Sequence, residues 1–328
     1  MKKVSLELGS GGQMMRTFID AHILKSFDNV YLKNLPDAAH LPQKIAFTTD
    51  SYVVDPIFFP GGDIGTLCVN GTVNDLVVSG AEPHFLSLAL ILEEGLSYSD
   101  LDKVLNSIKK TATQAGVKII TGDTKVVKQG QGDKIFINTA GIGSIIARPA
   151  PDKIRPGDKI IITGSLGEHS LAVMLARGDF GLESKVKSDC APLNFLLPVW
   201  KNGALWMRDI TRGGLASVLC ELAEMIPYSI VLQEEDIPLS RAVQGATELL
   251  GIDPLFLACE GRAALVAPAK KADEILAKIK SHRLGKKAAV IGQVEAKTGQ
   301  PHELLLETVS GGLRRLEPLS SELLPRIC

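Results

Sequence analysis

The sequence predicts a mixed α/β protein of the α+β kind, organised as two domains. Three observations carry this. At 328 residues the chain is about twice the length of a typical domain. Apolar strand-like runs are interspersed with helical-period runs in both halves. Residues 148–158 hold three prolines among charged residues and separate two β-rich blocks, which puts the boundary near Ala150. The expected units are residues 1–150, residues 151–316 and a flexible tail over residues 317–328.

In the first unit, residues 44–49 alternate, with Ile45 and Phe47 on one face, and the run ends at Asp50 before a loop rich in proline and glycine. A strand thus delivers a carboxylate. Residues 64–78 place apolar side chains at helical spacing and carry Asn74 and Asp75 within that helix. Residues 85–92 read as a buried strand, and Ser99 as the cap of a helix over 100–115 that Gly116 ends. A strand over 117–121 leads into Gly122-Asp123, and 135–146 is a long strand containing glycines.

The second unit opens with a strand at 159–163, a glycine turn at 164–167 and a helix around 171–176. After a loop with Cys190, Arg208-Asp209 and Gly213-Gly214 feed a helix over 215–225. Strands at 229–233, 262–267, 288–294 and 303–309 are interleaved with helices at 239–250 and 270–280. Beyond residue 316 there are two prolines, no helical period and a terminal thiol; from Leu319 onward such a segment spans roughly 30 Å when extended.

Composition removes several function classes. Thirty-six basic against 37 acidic residues leave a net charge of −1, so no overall field draws nucleic acid or an anionic membrane. The five cysteines are odd in number and form no C-x-x-C pair, which argues against a zinc knuckle or a disulfide framework and fits a reducing, cytoplasmic setting. The first residues lack the apolar stretch of a secretory signal, and no window approaches 18 apolar residues. Cys328 is the last residue rather than fourth from the end, so prenylation does not apply.

Asp50, Asp55, Asp75, Asp123 and Asp209 sit at element ends or in apolar surroundings, most of them beside Gly, Thr or Asn. Any one is a common cap or turn residue, but together they are the hard oxygen donors that Mg²⁺ takes alongside substrate phosphates. Gly9, Gly11, Gly12, Gly213 and Gly214 leave backbone N–H groups open to phosphate, and the last two also open a helix. Neither a Walker A loop nor a G-x-G-x-x-G after a strand occurs. Lys125 lies two residues after Asp123 in a loop entered from a strand, where a cation could face a phosphate or polarise a carbonyl oxygen, and Glu260 precedes a strand where it could act as a base. His22, His84 and His169 have no i+4 ligand partner and read as core or surface residues.

These residues resemble the HypE family of NiFe-hydrogenase maturation proteins, within the superfamily of aminoimidazole ribonucleotide synthetase and selenophosphate synthetase. The likeness runs through Gly9-Ser10-Gly11-Gly12, Thr48-Thr49-Asp50-Ser51, Val54-Asp55-Pro56, Gly71-Thr72-Val73-Asn74-Asp75, Thr121-Gly122-Asp123-Thr124-Lys125, Ser188-Asp189-Cys190 and Thr211-Arg212-Gly213-Gly214. It is most specific in the terminal Pro325-Arg326-Ile327-Cys328. The resemblance implies a two-domain ATP-binding fold and a homodimer, with ATP between the domains close to the dimer interface. It implies that a HypF-type carbamoyltransferase loads Cys328, that ATP-dependent dehydration turns the carbamoyl group into a thiocyanate, and that the cyanide passes to iron on a HypC–HypD scaffold. Carried over by motif, Asp50, Asp55, Asp75 and Asp209 hold Mg²⁺ and phosphates. Gly9, Gly11, Gly12, Asn74, Asp123, Gly213 and Gly214 line the nucleotide site, and Cys328, Lys125 and Glu260 carry the chemistry. The chain departs from the family pattern at Leu8, Asn70, Cys259 and Arg262. Two other readings use the same residues: a kinase-like enzyme acting on a free small molecule, which has no use for Cys328, and a non-catalytic scaffold, which has no use for Asp75.

Overall fold

In the computed structural model, residues 4, 12–27, 29–32, 35–178, 181, 184–211, 213–296, 302–319 and 326–328 are described. After α1 (Gly12–Phe18) come β1 (Ala39–Leu41), β2 (Ile45–Tyr52) and a small hairpin, β3 (Phe58–Phe59) and β4 (Gly62–Asp63). Then follow α2 (Ile64–Val78), β5 (Ala81–Glu93), α3 (Tyr98–Ala115), β6 (Lys118–Val127) and β7 (Ile135–Ile145). Five of these strands form one sheet in the order β1-β2-β7-β5-β6, antiparallel except for the β5–β6 pair.

The second half comprises β8 (Lys159–Ile162), α4 (Glu168–Arg177), α5 (Leu197–Lys201), β9 (Trp206–Asp209), α6 (Gly214–Met225), β10 (Ser229–Gln233) and α7 (Arg241–Leu250). It continues with β11 (Ala263–Ala267), α8 (Ala272–Lys280), β12 (Ala289–Glu295), β13 (Leu304–Glu307) and β14 (Leu313–Leu316). Its seven-stranded sheet runs β14-β13-β10-β12-β8-β11-β9, with β10–β13 the parallel pair. The predominance of antiparallel pairs makes the class α+β. No helix among the described residues is long and apolar enough to cross a membrane.

Several element ends differ from the sequence expectation for physical reasons. Ser97, not Ser99, caps α3: its Oγ accepts the Asp100 N–H at 3.0 Å. Asp50 does not end its strand, because β2 stays paired with β7 through Asp50↔Thr139 to Tyr52↔Ile137. Likewise the strand expected over 117–121 does not end before Gly122-Asp123 but continues to Val127. β6 pairs with β5 as far as Glu93↔Val127, in one register from Ser87↔Thr121 onward, and a Cβ at Gly122 would overlap the Leu88 carbonyl, so this glycine serves a close backbone approach. Lys125 consequently lies inside a strand rather than in a loop. Trp206–Asp209 is a strand rather than a lead-in, and β14 is not legible in the sequence because Arg314 and Arg315 break the apolar alternation on an edge strand.

α2 is the element that ties the halves together. Most of its side chains are apolar and 13 of its 15 residues are buried, as expected of a helix enclosed on every side. One core cluster joins its Leu67, Val73 and Val77 to Leu193, Leu196 and Val199 of the second half. Trp200 Nε1–H donates to the Val77 carbonyl at 2.8 Å. Where α2 crosses β2, Gly71 faces the buried ring of Tyr52, and a Cβ there would overlap the Tyr52 hydroxyl. Gly71→Ala is therefore expected to destabilise the fold by about 1–3 kcal/mol despite alanine's better helix propensity. Denaturant unfolding of the two proteins, with the midpoint shifted down for the variant, checks this.

Candidate active site

Six parts of the chain converge on a cleft of about 220 Å³. β2 contributes Thr48, Thr49 and Asp50, α2 contributes Gly71 and Asp75, and the end of β9 contributes Asp209 with Thr211 just beyond it. Asp37 enters from the segment before β1, Glu260 from the turn before β11, and Cys328 from the C-terminus. Pairing of β9 with β11 (Asp209↔Ala263) sets Asp209 near the Glu260 turn, and burial of α2 fixes Asp75 opposite.

Carboxylate oxygens of Asp37, Asp75 and Asp209 all lie within 4.8 Å of one another. Thr48 Oγ1 is 2.8 Å from Asp75 Oδ2 and 2.7 Å from the Asp37 carbonyl, so its single proton serves one or the other. Arg208 Nε donates to Asp37 Oδ1 at 2.9 Å, and its Nη1 bonds Glu221. One guanidinium shared between two carboxylates leaves the trio under-compensated. Burial first, then Asp209, Asp37 and Asp50, push Asp75 well above the ordinary carboxylate range. Burial and then Asp37 push Asp209 up to about 8, against the pull of Arg208. Burial raises Asp37 too, although Arg208 opposes it.

Such a set is relieved either by protons or by a cation, and its hard oxygens suit a divalent ion of the Mg²⁺ type. A carboxyl whose folded pKa lies far above its unfolded value stabilises the fold most below about pH 4 and loses that contribution as pH rises towards 8. The melting temperature of cation-free protein is therefore expected to fall between about pH 5 and 8, and millimolar Mg²⁺ to recover most of that loss at the alkaline end. Thermal melts at several pH values with and without Mg²⁺ read this directly; equal slopes in both series would contradict it.

Glu260 is 3% exposed, and its turn is held from below. Asp189 accepts the backbone N–H groups of Glu260 at 3.4 Å and Gly261 at 3.2 Å and pairs with Arg262 at 3.6 Å. A Cβ at Gly261 would overlap the Asp189 carbonyl, which explains a glycine beside this carboxylate. Asn74 stands next to Asp75, but its amide faces the cleft wall, donating to the Ala191 and Glu260 carbonyls at 3.2 Å and accepting Leu193 N–H at 2.8 Å. Asn70 Nδ2 reaches the Cys190 sulfur at 3.3 Å, and the Cys259 sulfur accepts the Gly167 N–H at 3.2 Å.

The terminal tripeptide is docked. Ile327 is 2% exposed within the main core, and Cys328 packs against it and lines the cleft. Residues 320–325 of the expected flexible tail lie outside the described residues, as do Gly9, Gly11, Leu8 and Arg212.

The other expected site residues divide. Gly213 and Gly214, at φ +77° and +64°, open α6 two and three residues beyond Thr211, and Gly12 begins α1. Asp55 is not brought into the carboxylate group. Its side chain is exposed, while its backbone N–H meets the Arg326 carbonyl at 3.4 Å. Lys125 and Asp123 pair with each other at 2.6 Å on exposed β6, three strand spacings or roughly 14 Å from β2. Asp37, in contrast, joins the group without any sequence signal beyond a Pro36-Asp37 turn.

Family models described as the N-terminal and C-terminal domains of AIR synthase related proteins match residues 36–145 and 155–302. The carbamoyl dehydratase HypE of Escherichia coli is 42% identical over 340 residues, with 100% of both chains covered. The chain belongs to the HypE family. A HypE–HypF complex has the same architecture, with a TM-score of 0.87 at 41% identity over 92% of this chain and 99% of that one. A HypE in complex with ATP gives 0.83 at 44% identity, covering 99% and 100%. For a HypE-family chain, the cleft described above is the one place where the terminal cysteine and the clustered carboxylates meet among the described residues.

Proposed function

We propose that this protein is an ATP-dependent carbamoyl dehydratase whose substrate is the S-carbamoyl group on its own Cys328. The observation that carries this reading is Cys328 lining the same cleft as Asp37, Asp75, Asp209 and Glu260. A kinase-like relative acting on a free molecule has no reason to seat its own terminal cysteine residue there. The carbamoyl group comes from a HypF-type partner, and the thiocyanate product supplies cyanide to an iron on a HypC–HypD scaffold.

The carbamoyl oxygen attacks the γ-phosphorus of ATP, its O–P bond forms, and the bond to ADP breaks. Both N–H protons then leave, and C–O cleavage releases inorganic phosphate and the S-bound nitrile. Bound Mg²⁺ would neutralise charge on the transferring phosphoryl group. Asp75 and Asp209, with Asp37, would hold that ion, and Asp50 would extend the set towards the phosphates. Glu260, enclosed beside Cys328, would accept a proton from nitrogen, and burial of the Cys328 neighbourhood keeps water from hydrolysing the phosphorylated group. Gly213 would offer its N–H to phosphate at the start of α6, whereas the Gly214 N–H is taken by the Thr211 carbonyl at 2.9 Å.

A cleft of about 220 Å³ is small for a whole nucleotide, since such ligands usually occupy roughly 300–1,000 Å³. The adenosine would therefore lie outside it, against a second copy of the chain. The sheet face away from α2 supports such pairing: Phe47, Ile142 and Phe85 are neighbours across β2, β7 and β5, each about 40% exposed. A homodimer built on this face gives Lys125 and Asp123 a place at the nucleotide of the opposite subunit.

The test is the mass of the C-terminal peptide after incubation with the HypF-type partner and carbamoyl phosphate. Gain of a carbamoyl group at Cys328, then loss of one water only with Mg-ATP, is the expected result. A carbamoylated peptide that keeps its water with Mg-ATP would overturn the dehydratase reading.

A further inference from the structure

The last three residues are held by more than burial. Val53 N–H donates to a main-chain oxygen of Cys328 at 3.2 Å, Asp55 N–H donates to the Arg326 carbonyl at 3.4 Å, and Arg326 Nε donates to the Val53 carbonyl at 3.0 Å. Arg326 is also paired with Asp133 at 2.7 Å. The tripeptide therefore lies alongside residues 53–55 much as an added strand would. That leaves the Ile327 carbonyl between them, and it points to His169 at the start of α4.

His169 is 0% exposed, its Nε2 is 2.9 Å from the Ile327 carbonyl, and its Nδ1 is 2.8 Å from Ser188 Oγ. A carbonyl only accepts, so Nε2 carries the proton. Nδ1 of the neutral ring is then an acceptor and takes the Ser188 hydroxyl proton, while Ser188 Oγ in turn accepts the Cys190 N–H at 3.0 Å. Phe59 meets the ring edge-on at 5.3 Å and 87°, which fixes its plane. Arg177, at the other end of α4, bonds the Arg326 and Asp55 carbonyls. Each contact on the imidazole thus serves one orientation of a single N–H towards a residue 158 positions away.

We propose that His169 is a positioning residue for the reaction at Cys328: its Nε2–H grips the Ile327 carbonyl, and Ser188 sets the tautomer that makes this possible. This inference rests on the dehydratase reading above. The grip fixes the register of the terminal peptide, so that the next residue's sulfur, and the group carried on it, enters the carboxylate-lined cleft. It has a second consequence. For a partner enzyme to reach Cys328 the tripeptide has to leave, and the His169 bond is among those that break. Weakening the grip should therefore help loading and hinder dehydration.

The experiment compares wild type, His169→Leu, His169→Gln and Ser188→Ala as full-length proteins. Three quantities are read by mass spectrometry of the C-terminal peptide: the rate of Cys328 alkylation by iodoacetamide, the rate of carbamoylation by the partner, and the rate of Mg-ATP-dependent water loss from carbamoylated protein. Loss of one buried hydrogen bond is expected to speed alkylation of His169→Leu roughly tenfold and to slow water loss by a similar factor or more. Carbamoylation should be equal or faster. His169→Gln, which can still present an N–H, should fall close to wild type, and Ser188→Ala should shift in the same direction as the leucine variant but less.

A leucine variant with wild-type alkylation and water loss would overturn the proposal. So would a leucine variant in which carbamoylation and water loss fall together with the melting temperature, since that is the mark of a merely structural histidine. The alkylation arm needs no ATP chemistry. If wild type itself never loses water, the dehydratase reading fails, whereas the grip still stands or falls on alkylation.

Discussion

Asp75→Asn protein folds at least as stably as the parent when cations are absent, yet it removes water from carbamoylated Cys328 roughly a hundred- to a thousandfold more slowly. Both halves of this expected result come from the same crowding. Asp75 is a half-buried carboxyl held close to Asp37 and Asp209 and near Asp50, so ionising it costs the fold, and an isosteric amide removes that cost while keeping an acceptor for Thr48. The same exchange deletes a charged ligand from the group that would hold the phosphate-bound cation, and losses of this size are typical when one preorganised charge-stabilising group is removed. Thermal melts in chelator and single-turnover assays of the C-terminal peptide check the two halves. A scaffold without catalysis would show no loss of water removal to measure in the first place.

Cys328→Ser abolishes the overall reaction while leaving the site assembled. Serine keeps the main-chain oxygen that accepts Val53 N–H, and it leaves Ile327 in the core and His169 on the Ile327 carbonyl. What is lost is the thiolate that accepts the carbamoyl group, and a hydroxyl is a far weaker nucleophile at neutral pH. The expected outcome is no detectable mass gain on the C-terminal peptide, an unchanged melting temperature, and ATP hydrolysis no faster with carbamoyl phosphate and partner than without them. Unimpaired turnover in the serine variant would favour an enzyme acting on a free small molecule.

Much of this site is legible in the amino-acid sequence. Asp75 in an apolar helix and Asp209 ahead of two glycines are local patterns, and a terminal cysteine is visible on inspection. What the sequence does not supply is non-local. Asp37 lies before a three-residue strand with no periodicity, and it becomes a member of the carboxylate group only because Arg208, 171 positions on, draws it in. The strand reads as ending at Thr121 because glycine followed by aspartate usually breaks one, whereas here Gly122 admits the neighbouring strand. Asp55 groups with the other aspartates by spacing, but the loop after β2 turns its side chain outward and uses its backbone to hold Arg326. His169, a lone histidine with no ligand partner in sequence, acquires its partner only when the far end of the chain returns to α4.

The central claim, that the carbamoyl oxygen on Cys328 is activated by phosphorylation and leaves as phosphate, is tested most directly by isotope transfer. Cys328 is loaded with a carbamoyl group bearing ¹⁸O, Mg-ATP is added, and inorganic phosphate is analysed by mass spectrometry. The account predicts one ¹⁸O in the phosphate for each nitrile formed. Nitrile formation with the label recovered in water instead would contradict it.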